Sequence, residues 1–158
     1  MTSRDYFKLG AALVLPQLAG VIGSAFTIPS VQTWYVTLVR PAIAPPSLVF
    51  APVWTTLFLL MGIAAFLVWR KGWNRKGVRI ALTLFLVQLV LNTLWSVLFF
   101  GLHSIGGALI EISILWVAIV ATMVAFAKVS RVAVWLLVPY ILWVSFAAYL
   151  TYSYWILN

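Results

Sequence analysis

The sequence predicts an all-α integral membrane protein, a bundle of five transmembrane helices with a long loop capping a cavity. Of its 158 residues, 65% are hydrophobic and only 8% are charged. A soluble domain is about 45–50% apolar and about 25% charged, so an ordinary soluble globule is excluded, as is a nucleic-acid-binding module. The apolar stretches are continuous, which favours helices over the alternating pattern of a membrane barrel. Because cysteine is absent, disulfide scaffolds, Fe–S centres and cysteine-based zinc sites are excluded as well.

Five nearly charge-free stretches are each long enough to cross a bilayer, which takes about 20 apolar residues. Their approximate bounds are residues 9–26, 47–69, 80–101, 104–127 and 132–155. They use nearly the whole chain, so we predict a single membrane domain over residues 1–158. Arg4 and Lys8 precede the first stretch as they would precede a signal peptide, which is the alternative interpretation. The stretch exceeds the roughly 7–15-residue core of a signal, however, and we expect a packed helix.

The link between the first two stretches, residues 27–46, differs from the other turns. It contains Trp34, Tyr35 and Leu38, and its prolines are Pro29, Pro41, Pro45 and Pro46. A long, aromatic, proline-stiffened loop in a compact membrane protein is typically functional or packed back onto the bundle. We therefore expect this segment to form a lid above the helices.

The positive charges predict the orientation of the chain. One side of the predicted bundle collects Arg4, Lys8, Arg70, Lys71, Arg75, Lys76, Arg79, Lys128 and Arg131, and the other side only Arg40. By the positive-inside rule, the N-terminus faces the cytoplasm, and the lid loop and the C-terminus face the opposite compartment. The basic hairpin 70–79 is thereby explained as a topology signal. A specific role towards anionic lipid or a nucleotide is the alternative.

The chain has nine tryptophans, and two explanations compete for them. An interfacial belt of aromatic rings accounts for those near predicted span ends. These are Trp34, Trp69, Trp73, Trp135 and Trp155. A belt does not account for Trp95, Trp116 and Trp143, which lie well inside spans, and Trp54 is intermediate. Trp54, Trp95 and Trp143 all fall in the loop-side half of the bundle or near its midplane.

A polar and aromatic stripe runs along the third span. Gln88, Asn92 and Trp95 are spaced by about one helical turn each and therefore share a face. Buried amides are unfavourable in lipid unless they face the bundle interior and find a partner, so we expect this face to point inward. The stripe serves either helix–helix hydrogen bonding or the wall of a pocket for a flat, mostly apolar ligand.

Few other side chains could carry chemistry. Glu111 is the only acid inside a span, and an intramembrane carboxylate is a candidate functional group. It could reach water, bond to a neighbouring helix or contact a ligand. His103 is interpreted as a solvated turn residue, because the chain has no second histidine for a metal site. No Ser–His–Asp set, paired carboxylates or phosphate-binding glycine loop is present, which argues against a hydrolase or kinase.

Motifs spread over the whole chain resemble the TspO/MBR family, also called the tryptophan-rich sensory protein, translocator protein or peripheral benzodiazepine receptor family. The first part of the match runs from Trp34-Tyr35 through Arg40-Pro41 and Pro45-Pro46 to Trp54. The remaining pieces are Met61-Gly62, Gln88-Leu89, Asn92, Trp95, Phe99-Phe100-Gly101, Pro139-Tyr140, Trp143, Phe146-Ala147 and Leu150. Each piece alone is weak, but their order and spacing together are specific.

The resemblance implies a five-helix bundle, often a homodimer, with a cavity capped by the loop after the first helix. It implies binding of tetrapyrroles such as protoporphyrin IX and haem, of isoquinoline or benzodiazepine-type compounds, and of lipid, with no cofactor required. The implied pocket residues are Tyr35, Pro45, Trp54, Phe58, Asn92, Trp95, Trp143, Phe146 and Ala147. Some bacterial members degrade protoporphyrin in light, and Trp54 and Trp143 are the candidates for that chemistry. The functional hypothesis is thus a receptor or sensor, with a tetrapyrrole or lipid transporter and a light-dependent porphyrin-degrading enzyme as alternatives.

Three departures from the family pattern are visible. Ile43 occupies a loop position that is usually aromatic, so stacking of the lid on a ligand is expected to be weaker. Thr151 replaces a usual asparagine. Tyr152 is not followed by a basic residue, and the sterol motif that needs one is therefore broken.

Overall fold

The computed structural model describes residues 1–158 and is all-helical, with 84% helix and no strands. The five helices are α1 (Ser3–Gln32), α2 (Phe50–Trp69), α3 (Lys76–Ser96), α4 (Ile105–Ala127) and α5 (Arg131–Leu157). Each lies in a segment long and apolar enough to cross a membrane. The predicted all-α class and the number of spans are confirmed.

The main core lies between α2, α3, α4 and α5 and contains 21 buried apolar residues. Helix α1 joins this core where its backbone comes close to Gly62 of α2. A Cβ atom at this position would lie 2.7 Å from the Ala12 carbonyl oxygen and 2.9 Å from the Leu13 Cα atom. Only a residue without a side chain allows this contact, and small residues are used in this way where membrane helices pack closely.

The first helix is longer than the sequence predicts. Residues 27–32, assigned to the lid loop, continue α1, which contains both Pro16 and Pro29. Proline removes one backbone donor, but membrane helices tolerate it. At the end of α1, the Thr33 hydroxyl donates to the Pro29 carbonyl at 2.9 Å and so closes the last turn. The other span boundaries agree with the prediction to within a few residues.

A π-helical turn, Val97–Gly101, continues α3 towards α4. Such turns are rare and hold one more residue per turn than an α-helix. The Leu102 amide bonds back to the Val97 carbonyl at 2.8 Å, and the Ser104 amide to the Leu98 carbonyl at 2.9 Å. Phe99 is buried within the turn, where it forms a second, smaller core with Ala108, Leu150 and Tyr154.

The loop between α1 and α2, residues 33–49 and hereafter the α1–α2 loop, packs onto the ends of α3 and α5. Trp34, Tyr35 and Leu38 lie against the smaller core. The Asn158 side chain holds the loop backbone from the end of α5: Val39 N–H donates to Oδ1 at 2.8 Å, and Nδ2 donates to the Val39 carbonyl at 3.2 Å. The loop therefore packs back onto the bundle, and its role as a lid over a cavity stays a prediction.

The two ends of the bundle differ in charge. Arg70, at the end of α2, lies within electrostatic range of Asp5 in the first turn of α1. Gly77 of α3 and Lys128 of α4 line one surface groove. The basic residues of the sequence thus gather at one end, called the basic end below. The α1–α2 loop and Asn158 lie at the other, called the loop end.

Candidate functional site

Tyr140 of α5 joins two amide side chains of α3 in the centre of the bundle. Its hydroxyl donates to Gln88 Oε1 at 2.7 Å and accepts from Asn92 Nδ2 at 3.0 Å. All three side chains are buried. The predicted inward orientation of the stripe is therefore confirmed, and so is its role in helix–helix hydrogen bonding. That role does not exclude a pocket wall, because the stripe retains atoms without partners.

Four buried polar atoms near this network make no hydrogen bond: Gln88 Nε2, Trp95 Nε1 and both carboxyl oxygens of Glu111. Glu111 is only 5% exposed and lies within electrostatic range of Tyr140. The interpretations in which Glu111 reaches water or bonds to a neighbouring helix are therefore wrong. Buried polar groups in folded proteins are nearly always paired, so these unpaired atoms single out this part of the bundle as a candidate site.

Trp54 and Phe58 lie on the α2 side of the network. Their rings stack with centroids 5.4 Å apart, and the edge of Trp54 meets the Tyr140 ring at 6.3 Å. Phe58 is buried against Gly20 of α1, where an added Cβ would lie 2.6 Å from the phenyl ring. The predicted site residues Trp54 and Asn92 thus share one neighbour, Tyr140, which the prediction did not include, and Phe58 joins them through Trp54.

Trp95 and Tyr35 meet on the smaller core near the loop end. Trp95 stacks on Phe99 with centroids 5.1 Å apart, and Tyr35 packs against Phe99 at 6.4 Å and Phe100 at 5.7 Å. The Tyr154 hydroxyl donates to the Tyr35 hydroxyl at 2.7 Å. Burial, together with the Tyr154 hydroxyl, raises the pKa of Tyr35 above its ordinary value. Tyr35 therefore stays neutral and keeps a hydroxyl proton to donate at physiological pH.

Trp143 and Phe146 lie on α5, facing the start of α2. Their rings are 5.5 Å apart, and Phe50 of α2 meets Trp143 edge-on at 6.0 Å. Phe50 precedes Trp54 by four residues, so the two share a helix face. Ala147 is half-buried against the main core. Trp143 therefore packs against the helix face of α2 that also carries Trp54.

Pro45 lies in the α1–α2 loop, where Arg40 contacts its backbone. The Pro45 carbonyl accepts a hydrogen bond of 2.7 Å from Arg40 Nη2, and the same nitrogen donates to the Ala44 carbonyl at 3.1 Å. Arg40, the only cation predicted for the loop end, thus folds the segment between them into a turn.

Sequence comparison with known proteins identifies the family of this chain. The sequence pattern described as the TspO/MBR family matches residues 12–156. The chain is 44% identical to the tryptophan-rich protein TspO of Chlorobaculum tepidum over 151 residues, covering 96% of each chain. It is 40% identical to the protein of the same name in Archaeoglobus fulgidus, covering 98% of this chain and 99% of that one. Identity to the human translocator protein is 39%, covering 89% of this chain and 83% of the human protein.

The chain belongs to the TspO/MBR family. Both the family match and the apolar helices show an integral, multi-pass membrane protein. Membership does not by itself assign ligand contacts, so the nine predicted pocket residues remain predictions. Of these, the structure links Trp54 and Asn92 through Tyr140, Phe58 to Trp54 directly, and Tyr35 and Trp95 through Phe99.

The interpretation of the tryptophans needs two corrections within this family fold. Trp116 lies inside its span but is 40% exposed on the outside of the bundle, where its Nε1–H donates to the Ser145 hydroxyl at 2.9 Å. Trp34, assigned to the interfacial belt, instead stacks on His103 with centroids 4.2 Å apart. Trp73, Trp135 and Trp155 are all at least half exposed, as a belt requires.

His103 does more than occupy a solvated turn. It is exposed, with a left-handed φ of 54°. The Ser30 hydroxyl donates to the Phe100 carbonyl and lies 3.1 Å from His103 Nε2. Because the serine proton is already donated, the imidazole Nε2–H is the donor in the second bond. The cluster fastens the end of α1 to the turn that follows α3.

Tyr140, Phe50 and Phe99 are the residues near the site that the predicted set lacks. A signal existed for Tyr140, because a tyrosine in the middle of an apolar span needs a hydrogen-bond partner.

The structure shows the surroundings of two positions that depart from the family pattern. Ile43 is 44% exposed, and the buried Thr151 donates only to the Ala147 carbonyl of its own helix, at 2.8 Å.

Proposed function

We propose that this protein is a membrane receptor or sensor that binds a tetrapyrrole, such as protoporphyrin IX or haem. The proposed cavity lies between the α1–α2 loop and the loop-side halves of α2, α3 and α5. The observation that carries the proposal is the group of unpartnered, buried polar atoms on Gln88, Trp95 and Glu111. They lie among aromatic rings from three helices, the combination typical of ligand pockets. Isoquinoline or benzodiazepine-type compounds and lipids are proposed as further ligands of the same cavity.

Each part of the proposed cavity suits a flat macrocycle. The rings of Trp54, Trp95 and Trp143 offer apolar faces for stacking. Trp95 Nε1 and Gln88 Nε2 are free donors, and the Glu111 oxygens are free acceptors. The donors match the carboxylates of a tetrapyrrole and the acceptors match its pyrrole N–H groups. The neutral Tyr35 hydroxyl supplies a directional bond from the loop side.

Binding in this cavity requires the α1–α2 loop to move. Tyr35 is fastened to Tyr154, and Val39 is fastened to Asn158 by two hydrogen bonds. The bonds to Val39 are exposed, and the Tyr35–Tyr154 bond belongs to the smaller core, so the loop can open without disturbing the main core. The proposed function therefore includes a loop that opens for the ligand and closes over it.

Tryptophan fluorescence tests the proposal directly. The purified protein is titrated with protoporphyrin IX in darkness, and the Trp143→Phe variant is compared with Trp135→Phe. Trp135 is 74% exposed on the same helix and is the matched control. Saturable quenching, retained in the control and weakened at least tenfold in Trp143→Phe, is the expected result. Linear quenching that never saturates, in every variant alike, means partition into detergent and contradicts the proposal.

Transport is the second candidate, favoured by relatives that carry the name translocator protein. Proteoliposomes with and without the protein separate it from simple sensing, because only a transporter increases the flux of porphyrin or lipid. Light-dependent breakdown of the bound porphyrin is the third. It requires a new product spectrum under illumination that is lost in Trp54→Phe and Trp143→Phe. Neither result is expected of a receptor alone.

A further inference from the structure

A surface groove at the basic end lies between α3 and α4, on the outside of the bundle. It consists of two adjoining hollows of about 400 Å³ and about 350 Å³, which share Ile80 and Leu84. The first is lined by Lys76, Arg79, Ile80, Thr83 and Leu84. The second is lined by Gly77, Ile80, Leu84, Ala121, Val124, Ala125 and Lys128. Together they are called the α3–α4 groove.

The groove is cationic at one end and apolar along its floor. Lys76 begins α3 and Lys128 follows α4, so the cations stand where these helices leave the membrane. From Lys76 the groove extends along α3 to Leu84, about 12 Å at 1.5 Å per residue. The side chains of Ile80 and Val124 are 47% and 55% exposed, and the small side chains of Ala121 and Ala125 form the hollow between them.

No group of this protein neutralises the groove cations. The chain has ten Lys and Arg but only two acids. Asp5 is on α1, where it accepts hydrogen bonds from the Thr2 amide and hydroxyl. Glu111 is buried in the bundle. Lys76, Arg79 and Lys128 are exposed and have no acidic partner within the chain, which leaves them free to bind the acidic lipids that the cytoplasmic leaflet of a membrane supplies.

We propose that the α3–α4 groove binds one anionic phospholipid. Its phosphate lies between Lys76, Arg79 and Lys128, and one acyl chain runs along Ile80, Leu84 and the alanines of α4. The order of chemistry along the groove, cations at the membrane edge and then an apolar floor, matches the order of a phospholipid from headgroup to chain. The site is on the outside of α3 and α4, away from the proposed tetrapyrrole cavity, and does not depend on it.

A second copy of the chain is a poorer occupant of this groove. In a symmetric dimer the same patch would meet itself, so that the cations of both copies would face each other. No acid lies in the groove to offset that repulsion. The pair of small residues at Ala121 and Ala125, which could otherwise support helix pairing, is thus better explained as room for an acyl chain.

Thermal unfolding of the delipidated protein in neutral detergent provides the test. Phosphatidylglycerol is expected to raise the melting temperature saturably, whereas phosphatidylcholine with the same chains and soluble glycerol 3-phosphate are expected to have little effect. The variant Lys76→Gln/Arg79→Gln/Lys128→Gln is expected to bind phosphatidylglycerol about a hundredfold more weakly, since each cation contributes roughly fivefold. The control Arg4→Gln/Lys8→Gln/Arg131→Gln removes the same charge from the same end, outside the groove, and is expected to retain binding.

The apolar half of the proposal has its own pair of variants. Ala125→Phe fills the floor without changing any charge and is expected to weaken phosphatidylglycerol binding at least tenfold. Val117→Phe, which adds the same ring at a residue of α4 that is 62% exposed and outside the groove, is the control. Gel filtration and circular dichroism establish that each variant is folded. If Ala125→Phe does not fold, the comparison of the two triple charge variants tests the proposal.

Three results would overturn the proposal. If glycerol 3-phosphate raised the melting temperature as much as phosphatidylglycerol does, the groove would recognise phosphate alone. If the groove triple variant and its control triple variant lost phosphatidylglycerol binding equally, the net charge of the protein, and not the groove, would determine binding. A dimer that dissociates in Ala125→Phe while lipid has no effect on stability would mean that the groove pairs two copies of the chain.

Discussion

The Tyr140 hydroxyl on α5 donates a hydrogen bond of 2.7 Å to Gln88 Oε1 on α3. Because the same oxygen accepts from Asn92, one phenol satisfies two amides that would otherwise be unpaired in the bundle interior. Its ring also makes a T-shaped contact with Trp54 of α2, with centroids 6.3 Å apart. One side chain thereby ties three helices together directly beside the polar atoms that lack partners.

Replacing Tyr140 by Phe is expected to reduce the free energy of unfolding by about 1–2 kcal/mol, because Asn92 Nδ2 and Gln88 Oε1 both lose their partner while staying buried. Thermal unfolding in detergent measures the effect. Tyr149→Phe, on the same helix but 59% exposed, is the matched control and is expected to unfold like the parent. Equal melting temperatures for all three proteins would contradict the role assigned to the hydroxyl.

Gly62→Ala is expected to reduce stability by about 1–3 kcal/mol, the range found when a packed interior is overfilled. The added methyl group would lie 2.7 Å from the Ala12 carbonyl oxygen, and a backbone atom cannot rotate away as a side chain can. Gly10→Ala supplies the control, because a Cβ there has no neighbour within 4 Å. The interpretation fails if the melting temperature falls as far in Gly10→Ala as in Gly62→Ala.

Glu111→Leu is expected to stabilise the ligand-free protein by about 1–3 kcal/mol, since it removes a buried carboxyl group that has no partner. The same variant is expected to bind protoporphyrin IX more weakly, and Glu111→Gln to bind with intermediate affinity. Ser113→Leu places the same side chain on the exposed face of α4 and is the control for both readouts. A lower melting temperature in Glu111→Leu would show that the carboxyl group stabilises the fold.

Asn158→Ala is expected to loosen the α1–α2 loop, because it removes both hydrogen bonds to the Val39 backbone. Hydrogen exchange followed by mass spectrometry reports on residues 33–49, which are expected to exchange at least tenfold faster while the helices keep their protection. Gln32→Ala, an exposed change at the end of α1, serves as the control. Unchanged exchange in the loop would mean that Tyr35 and Trp34 hold it without help from Asn158.

The proposed orientation can be tested without any preparatory mutation, because the chain contains no cysteine. Lys71→Cys at the basic end and Val36→Cys at the loop end, both exposed, each introduce a single thiol. A membrane-impermeant maleimide added to intact cells is expected to label Val36→Cys and to spare Lys71→Cys until the membrane is opened. The reverse pattern would contradict the positive-inside assignment.

Sequence alone predicts the spans well because the signals are local. Uninterrupted apolar runs and the basic residues that bound them locate four of the helices to within a few residues. The end of α1 is different. Pro29 indicates a break in an isolated chain, but Thr33 and the packing of Ser30 against Phe100 keep the helix intact. Contacts between segments 70 residues apart decide that boundary.

The candidate site likewise combines features that local sequence signals predict with features that depend on packing between distant segments. The inward face of Gln88 and Asn92 follows from the cost of exposing amides to lipid. The identity of their partner does not follow from this cost, because the rotation of α5 that presents Tyr140 depends on how all the helices pack. The same holds for Trp116, whose position inside a span predicts burial although packing turns it outward. The pocket residues implied by the family resemblance await the binding experiments.

The π-helical turn at Val97–Gly101 has a consequence for how the length of this segment can vary. One residue more than an α-helical turn requires is accommodated there, without the rotation of about 100° that an extra residue adds to a regular α-helix. Deleting a single residue would restore a regular turn and move the rings of Phe99 and Phe100, which the turn itself carries, relative to Tyr35. The spacing between Trp95 and His103 is therefore expected to tolerate insertion or deletion less well than a surface turn of the chain.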